Sequence, residues 1–378
     1  AYEVLKSPTL GEDLAKHINS WAYRNKPLDV AVCTSLSPDI KIPVHGWLLS
    51  ARSPVLRSAF FQFRKVGSYT HEAFSITNVN GQAIVCFQGL DLISLLNLIL
   101  FAYEDKVIPA WNFTGLVRPL AYRYRQVRQE VMRLAMRLGM NALEAAARSQ
   151  VDAKKTMDQD FRLAIKDHRY FADGDALIEL DGSEVPVHSL FVCARCPWFE
   201  GLFHGRSGGM WLDSRRQSDT EKIRIDLRHA EPKAFQYVVR YLYSDCGAEL
   251  FDDAVCDSFD DFLDLVMEVM SIANYLMLDR LSQICQKLMG RFVTIRNIAH
   301  LLNAISPCSV TEFKDVGLEY ICLQLETMLE NHLLDELDED LLLELDEVVR
   351  DNQLAQSPFT RSGRAEELLH ETYPWLAE

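Results

Sequence analysis

The sequence predicts an α+β fold made of two small domains, each a small sheet with helices, followed by an all-helical region. Three observations predict it. A stretch near residue 42 recurs near residue 185, both occurrences lie in the same order of helix and strand patterns, and the pattern after residue 290 is wholly helical. A length of 378 residues with 48% hydrophobic side chains is sufficient for two or three domains with buried cores.

The recurrence is long enough to define a domain. Residues 42–60 and 185–203 align without a gap and are identical at seven of nineteen positions. A helix and a strand precede each stretch, and a helix that contains Glu-Val-Met follows each one. We therefore expect a first domain over residues 1–145 and a second over residues 158–290, joined by the polar linker 146–157.

Within each domain, a β-hairpin is expected to precede a short helix. In the second domain, residues 176–188 alternate apolar and polar side chains around Asp181-Gly182, a pair typical of a tight hairpin turn. The corresponding loop of the first domain is three residues longer. The next strand is expected at 73–77 in the first domain and at 222–227 in the second.

Helical spacing of apolar residues continues after the second domain. Residues 291–352 are predicted to form a helical region, and residues 353–378 a C-terminal tail. The acidic segment 333–351 has leucines at helical spacing under a charged face, which predicts a packed helix rather than a free acidic peptide.

Charge is distributed unevenly along the chain. Residues 1–150 carry 17 basic and 11 acidic side chains, a net charge of +6, whereas residues 151–378 carry 22 and 43, a net charge of −21. This asymmetry favours domains that face each other or that face different partners.

The composition also bears on location. Nine cysteines without the spacing of a disulfide framework indicate a reducing compartment, the cytoplasm or the nucleus. The longest apolar run, residues 92–102, is about half a membrane span, so no membrane insertion is expected. The chain begins without Met and is expected to be part of a longer one.

Two groups of residues could form a metal-binding or catalytic site, but a structural role also explains each of them. Cys193 and Cys196 have metal-ligand spacing, but no second pair completes a zinc site, and the first domain has serines at the aligned positions. His45 and His188 lack a third group to orient them as bases, so each is expected to close a local hydrogen-bond network. We therefore predict no catalytic centre, no metal and no cofactor.

Charged residues recur at matching positions in the two domains. Asp29 with Arg52, and Asp175 with Arg195, are expected to form a buried charge pair in each domain, with a structural role.

The segment 117–137 is the one stretch with nucleic-acid character. It carries six arginines interleaved with Tyr122 and Tyr124. It is also an amphipathic helix pattern, so its basic face could instead meet the acidic second domain. The loop 204–221 has no phosphate-binding spacing, and Trp211 within it is a candidate anchor for a partner.

The motif in residues 175–203, "DALIELDGSEVPVHSLFVCARCPWFEGLF", closely resembles the core of the BTB/POZ domain family. The first domain resembles this family more loosely, and residues 291–352 resemble the BACK region that follows BTB/POZ domains in many adaptor proteins. The tandem arrangement is similar to the C-terminal part of the family of the inhibitor of Bruton's tyrosine kinase.

The resemblance implies a non-enzymatic interaction scaffold. It implies BTB-mediated self-association and a role as substrate adaptor of a cullin-3 RING ubiquitin ligase, with an unidentified substrate protein. The alternative is a BTB-containing chromatin or RNA-associated factor that uses the arginine-rich helix 117–137.

The resemblance also implies a cullin-binding set, which is Val266, Met267, Glu268, Asp245 and Phe251. In the second domain, Val266-Met267-Glu268 has the hydrophobic–x–Glu form of the family's cullin contact. Helical spacing places Val266 beside the core stripe rather than in its centre, so an exposed apolar side chain beside an acid is expected. The first domain has Arg128-Gln129-Glu130 there, without the hydrophobic residue, so cullin binding is predicted for the second domain only.

Overall fold

The computed structural model describes residues 9–18, 28–113, 120–205, 222–306 and 311–356. These residues fall into two compact units, which divide between residues 252 and 253. The first unit holds the sheets of both predicted domains. The boundary predicted at residue 290 lies inside the second unit, and Trp211 lies outside the described residues.

The first repeat, as we call the elements α1 to α6, contains a five-stranded mixed sheet. Its elements are α1 (Leu10–Ile18), β1 (Val30–Thr34), β2 (Ser37–Val44), α2 (Gly46–Arg52), α3 (Pro54–Val66), β3 (Ser68–Thr70), β4 (Phe74–Val79), β5 (Gln82–Phe87), α4 (Leu92–Glu104), a 3-10 turn (Ala110–Phe113), α5 (Ala121–Leu138) and α6 (Asn141–Ser149). The strand order is β2-β1-β5-β4-β3, in which only β1 and β5 are parallel neighbours.

The second repeat comprises the elements α7 to α10 of the same unit and contains a three-stranded sheet. Its elements are α7 (Met157–Ala164), a 3-10 turn (His168–Asp173), β6 (Ala176–Leu180), β7 (Ser183–Val187), α8 (Ser189–Arg195), α9 (Pro197–His204), β8 (Ile223–Asp226), α10 (Pro232–Leu242) and a 3-10 turn (Ala248–Phe251). The strand order is β7-β6-β8, with β6 and β7 antiparallel and β6 and β8 parallel.

The register corrects one predicted equivalence. In the first repeat Val30 pairs with Ala83 in parallel, and in the second repeat Ala176 pairs with Ile223 in the same way. The equivalent of residues 222–227 is therefore β5 and not the strand near residue 73. Strand β4 alternates apolar and polar side chains, whereas β5 is apolar at every position from 83 to 87. A continuous apolar run is typical of a strand with neighbours on both sides, such as β5 between β1 and β4.

Local signals position the short helices as the sequence predicts. Pro54 begins α3, and the hydroxyl of Ser53 accepts a hydrogen bond from the backbone N–H of Leu56. The predicted linker is shorter than expected, because α6 continues to Ser149 and α7 begins at Met157.

The second unit consists of helices and turns over its described residues. They are α11 (Phe259–Tyr275), α12 (Asp279–Met289), α13 (Ile298–Ile305), α14 (Thr311–Leu323), α15 (Leu325–Glu330), a 3-10 turn (Leu333–Glu336) and α16 (Glu339–Gln356). A capping box of Ser258 and Asp261 starts α11. Leu341 and Leu345 are buried, so the acidic helix α16 is packed, as its leucine spacing predicts. Within the described ranges, no helix combines the length and the apolar character needed to cross a bilayer.

Candidate functional site

The two repeats contact each other within the chain through their leading helices. Helix α1 of the first repeat packs on α8 of the second, and α7 of the second repeat packs on α2 of the first. Each repeat thus receives a helix from the other, in a two-fold arrangement that we call the inter-repeat interface. Because each exchanged helix packs on the other repeat, separating the repeats would expose both packing surfaces.

A buried arginine anchors one half of this interface. The guanidinium of Arg52, at the end of α2, donates to the Asp105 carboxylate of its own repeat and, at 2.6 Å, to Asp160 on α7. The Asp105 carboxylate also accepts the backbone N–H of Met157, the first residue of α7. One arginine and one aspartate therefore hold the exchanged helix from the side and from its N-terminus.

The other half repeats this geometry with different residues. Arg195, at the end of α8, donates to Asp245 at 3.1 Å and to Asp13 on α1 at 2.6 Å. The Asp245 carboxylate accepts the backbone N–H of Leu10, the first residue of α1, at 2.8 and 2.9 Å. The inter-repeat interface is therefore pseudo-symmetric down to its ion pairs.

These contacts correct the charge pairs predicted from sequence. Asp29 accepts the backbone N–H of Gly46 at 3.1 Å, and Asp175 accepts the backbone N–H of Ser189 at 2.6 Å, so both carboxylates lie at helix N-termini. The arginines lie at the opposite ends of the same seven-residue helices, about 9 Å away at 1.5 Å per residue. Burial raises the pKa of Asp29, although the Gly46 N–H opposes that change.

Two further ion pairs join basic side chains of the first repeat to acids of the second. Arg57 lies 3.3 Å from Asp167, and Arg64 lies 2.7 Å from Asp173. Hydrogen bonds from Arg169, together with Arg57, hold the pKa of Asp167 well below its usual range. At these two positions the basic side chain belongs to the first repeat and the acid to the second, whereas the Arg195–Asp13 pair has the reverse polarity.

Trp47 forms the apolar centre of the interface. Its ring lies 5.4 Å from Phe191 in an edge-on arrangement and also contacts Phe161 and His188, all in the second repeat. Phe191 in turn stacks on Tyr243 at 4.1 Å. Sequence reasoning missed Trp47, because the aligned residue of the second repeat is leucine and the repeat alignment weights only the identical positions.

Both repeated histidines close local networks, as predicted. The Nδ1 atom of His45 lies 2.7 Å from the Tyr103 hydroxyl, and that of His188 lies 3.0 Å from the Tyr243 hydroxyl. Burial lowers the pKa of His45 to about 4, so this imidazole is neutral near pH 7. A hydrogen-bonded structural role accounts for these residues without any catalytic one.

Helix α11 carries three residues of the predicted cullin-binding set, and one prediction about it is wrong. Val266 is 0% exposed, whereas Met267 is half-buried and Glu268 is exposed. The buried face of α11 is wider than the predicted stripe, because Leu263 and Met270 are buried as well. Val266 is therefore a core residue and does not present an apolar side chain to a partner.

The other two predicted cullin-binding residues also have internal roles. The Asp245 carboxylate belongs to the Arg195 cluster. Phe251 is 5% exposed, and its ring stacks on Tyr237 at 5.2 Å. Neither side chain is presented as a free surface group in its unit.

The aligned residues of the first repeat are also engaged internally. Arg128 donates to the backbone carbonyls of Ala147 and Arg148 at the end of α6, at 2.8 and 2.7 Å. Glu130 accepts the backbone N–H of Asp91 and the hydroxyl of Ser94, at 2.8 and 2.7 Å. Both side chains stabilise helix ends.

The arginine-rich segment 117–137 corresponds largely to α5, and its charge is partly neutralised inside the first repeat. Arg123 forms an ion pair with Asp91 at 2.7 Å, and Arg128 donates hydrogen bonds to backbone carbonyls at the end of α6. Arg125 and Arg133 are exposed and have no ion-pair partner among the described residues. Two such arginines are few against the six to ten phosphate contacts of a typical electrostatic nucleic-acid site.

One stretch of the chain matches a known family of protein-interaction domains. Residues 168–291 match the family model of the BTB/POZ domain, so this part of the chain is a BTB/POZ domain. BTB/POZ homologues are typically non-enzymatic interaction proteins. The match coincides with the region whose motif carried the resemblance in the sequence.

The curated relatives are BTB proteins. Over 296 residues, 78% of the chain, the sequence is 23% identical to "BTB/POZ domain-containing protein 1" of Schizosaccharomyces pombe. It is 27% identical over 172 residues to the human "Inhibitor of Bruton tyrosine kinase" and 21% identical over 174 residues to the Arabidopsis thaliana "BTB/POZ and MATH domain-containing protein 6". These alignments cover 45% and 44% of the chain, and the matched regions span 21%, 11% and 39% of the three relatives' lengths.

Proposed function

We propose that this chain is a tandem BTB/POZ scaffold that acts as a substrate adaptor of a cullin-3 RING ubiquitin ligase in the cytoplasm, the nucleus or both. The observation that carries the proposal is the BTB/POZ domain at residues 168–291, in a chain homologous to other BTB proteins. The matched regions span 21%, 11% and 39% of the three relatives' lengths, so the adaptor role is proposed for the module that this chain contains.

The first repeat is proposed to be a second, divergent BTB/POZ domain. Its support is the shared architecture: a parallel strand pair, a histidine–tyrosine contact and an arginine–aspartate cluster occur at matching places in both repeats. The helices after residue 291 are proposed to be a BACK-like region, supported by their all-helical pattern.

Self-association of BTB type is proposed to occur inside the chain. The exchanged helices α1 and α7 already use the surfaces that two separate copies would offer each other. A single chain would then supply both halves of a dimer, with one cullin-competent half.

The cullin contact is proposed to lie on the outward face of α11. Asp264 and Glu268 are exposed one helical turn apart, Met267 is half-buried, and Tyr275 is 49% exposed at the end of the helix. An acidic face with an aromatic neighbour suits a partner with a basic rim and an apolar pocket. Glu268 keeps the role predicted from the motif, whereas Val266 supports the helix from inside.

Calorimetric titration with the amino-terminal region of cullin-3 tests the proposal. The variant Asp264→Lys/Glu268→Lys is expected to weaken binding at least about tenfold, which corresponds to about 1.4 kcal/mol. The matched control Asp340→Lys/Glu347→Lys makes the same charge change on the exposed face of α16 and is expected to stay within about threefold. Absence of micromolar binding by the unmodified chain would overturn the adaptor function, and equal effects of both variants would overturn the α11 site.

A further inference from the structure

Three potential metal ligands of different types meet in the second repeat, away from the inter-repeat ion pairs. They are Cys193 on α8 and Glu200 and His204 on α9. Their ligand atoms all lie within 4.8 Å of one another. Glu200 and His204 are one turn apart on the same helix face, and the His204 Nδ1 atom lies 3.2 Å from the Glu200 carboxylate.

We propose that Cys193, Glu200 and His204 form a binding site for Zn²⁺. Zinc takes cysteine sulfur, histidine nitrogen and carboxylate oxygen in tetrahedral sites, and three protein ligands leave a fourth position for water. Magnesium and calcium prefer sets made of oxygen atoms alone, so the thiol argues against them.

The surroundings of the cluster favour a cation. His204 is the last residue of α9, where the backbone carbonyls carry the negative end of the helix dipole. Cys193 is 4% exposed, whereas the side chains of His204 and Glu200 are 19% and 42% exposed. A metal ion can therefore enter from the Glu200 side and reach a thiol that is otherwise buried.

The repeated architecture does not by itself require these side chains. The aligned residues of the first repeat are Ser50, Arg57 and Phe61. None of these is a usual zinc ligand, and the guanidinium of Arg57 stands where the second repeat has the carboxylate of Glu200. The same helix pair is thus built once without metal ligands and once with three of them.

Only one of the two cysteines noted in the sequence, Cys193, belongs to the proposed site. The proposed ligand set contains Cys193 but not Cys196, which is 1% exposed and whose pKa is raised to about 11 by burial. The sequence-based expectation of no metal considered the two cysteines as one pair and missed the other ligands. Glu200 and His204 follow at i+7 and i+11 from Cys193, a spacing that matches no common zinc motif.

Binding is proposed to exchange a proton for a metal bond. The Cys193 thiol releases its proton to solvent, its sulfur forms the metal bond, and no electron is transferred. Occupancy should therefore rise with pH.

Cobalt substitution in the full chain tests the site. After treatment with a chelator, titration with Co²⁺ is expected to produce one equivalent of a thiolate-to-cobalt charge-transfer band, which one equivalent of Zn²⁺ should abolish. Cys193→Ser should remove that band, and Glu200→Gln and His204→Ala should each weaken binding more than the 10–100-fold cost of losing an outer-shell partner. Cys196→Ser is the matched control and should leave the band and the affinity unchanged.

The variants remain interpretable because serine fits this backbone. Ser50 is buried at the aligned position of the first repeat, so Cys193→Ser is compatible with the helix pair. Three results would overturn the proposal. They are the absence of the charge-transfer band in the unmodified chain, a band that survives Cys193→Ser, and equal losses of the band in the Cys193→Ser and Cys196→Ser proteins. The spectroscopic result does not depend on cullin-3 binding, so the failure of one proposal leaves the other standing.

Discussion

Replacement of Arg52 tests whether the inter-repeat interface depends on its buried ion pairs. The Arg52 side chain is 0% exposed, and its partner Asp105 is 6% exposed. Arg52→Met would leave the Asp105 carboxylate buried without its guanidinium, a loss that typically costs 3–5 kcal/mol. The Asp160 side chain is 26% exposed and can be solvated by water, and the Asp105 carboxylate still accepts the backbone N–H of Met157. We therefore expect a loss of unfolding free energy at the lower end of this range, about 3 kcal/mol.

A double-mutant cycle separates the ion pair from the packing of the arginine. Asp105→Asn removes the charge but retains a residue that tolerates the left-handed backbone at this position, where φ is 54°. In Arg52→Met/Asp105→Asn the unpaired carboxylate is absent. We therefore expect the double variant to be more stable than Arg52→Met and the coupling energy to be about 2 kcal/mol.

Urea unfolding followed by circular dichroism and tryptophan fluorescence provides the measurement. The exposed pair Lys106–Glu104 is a control, since its side chains are 69% and 48% exposed and Glu104→Gln should change stability by less than about 1 kcal/mol. A loss below about 1 kcal/mol in Arg52→Met, or purely additive single variants, would refute the view that this ion pair holds the exchanged helix.

Three further predictions concern other parts of the structure. Val266→Arg should unfold the second unit or lower its free energy of unfolding by several kcal/mol, because Val266 is buried. Glu268→Lys should change the urea midpoint little, because Glu268 is exposed. Equal urea midpoints for the two variants would contradict the assignment of Val266 to the core. Trp47→Ala should cost about 3–5 kcal/mol, and a loss below about 1 kcal/mol would show that its ring contacts across the repeats are dispensable. The pKa of His45 lies at about 4 in the folded chain against an ordinary 6.5, so the unfolded chain binds the proton more readily. The free energy of unfolding should therefore fall by up to about 3 kcal/mol as the pH is lowered from 6.5 to 4. His45→Gln should flatten this part of the plot of unfolding free energy against pH, and an unchanged plot would exclude His45 as the cause.

Much of the repeated architecture could be predicted from the sequence, because its signals are local. The Asp181-Gly182 turn lies between β6 and β7, and Pro54 begins α3 next to its Ser53 cap. Turns, caps and helix starts depend on residues within about four positions, and these residues are visible in the chain. The predicted equivalence of the second strand was wrong because it relied on the alternation at 73–77, whereas the strand that pairs with β1 is the continuously apolar run at 83–87.

The structure differs from the sequence-based prediction at two sites, for different reasons. Val266 was expected at the edge of a narrow stripe, but the width of a buried helix face depends on how many neighbours surround the helix, and periodicity does not report that number. The pairing of Asp29 with Arg52 was expected because both residues recur. Recurrence indicates that a residue has the same role in both repeats, but it does not identify its partner. Arg52 forms one of its ion pairs with Asp160, which lies in the other repeat.

The sequence by itself determined that one motif and its order of helix and strand patterns occur twice, that the two halves carry opposite net charge and that helices follow. The tertiary structure alone decided that the repeats exchange their leading helices, so that Arg52 and Arg195 each bind an aspartate more than a hundred residues away. Periodicity and spacing describe neighbours along the chain. The partners across the inter-repeat interface are chosen by shape and burial, which exist only after the two repeats have packed together.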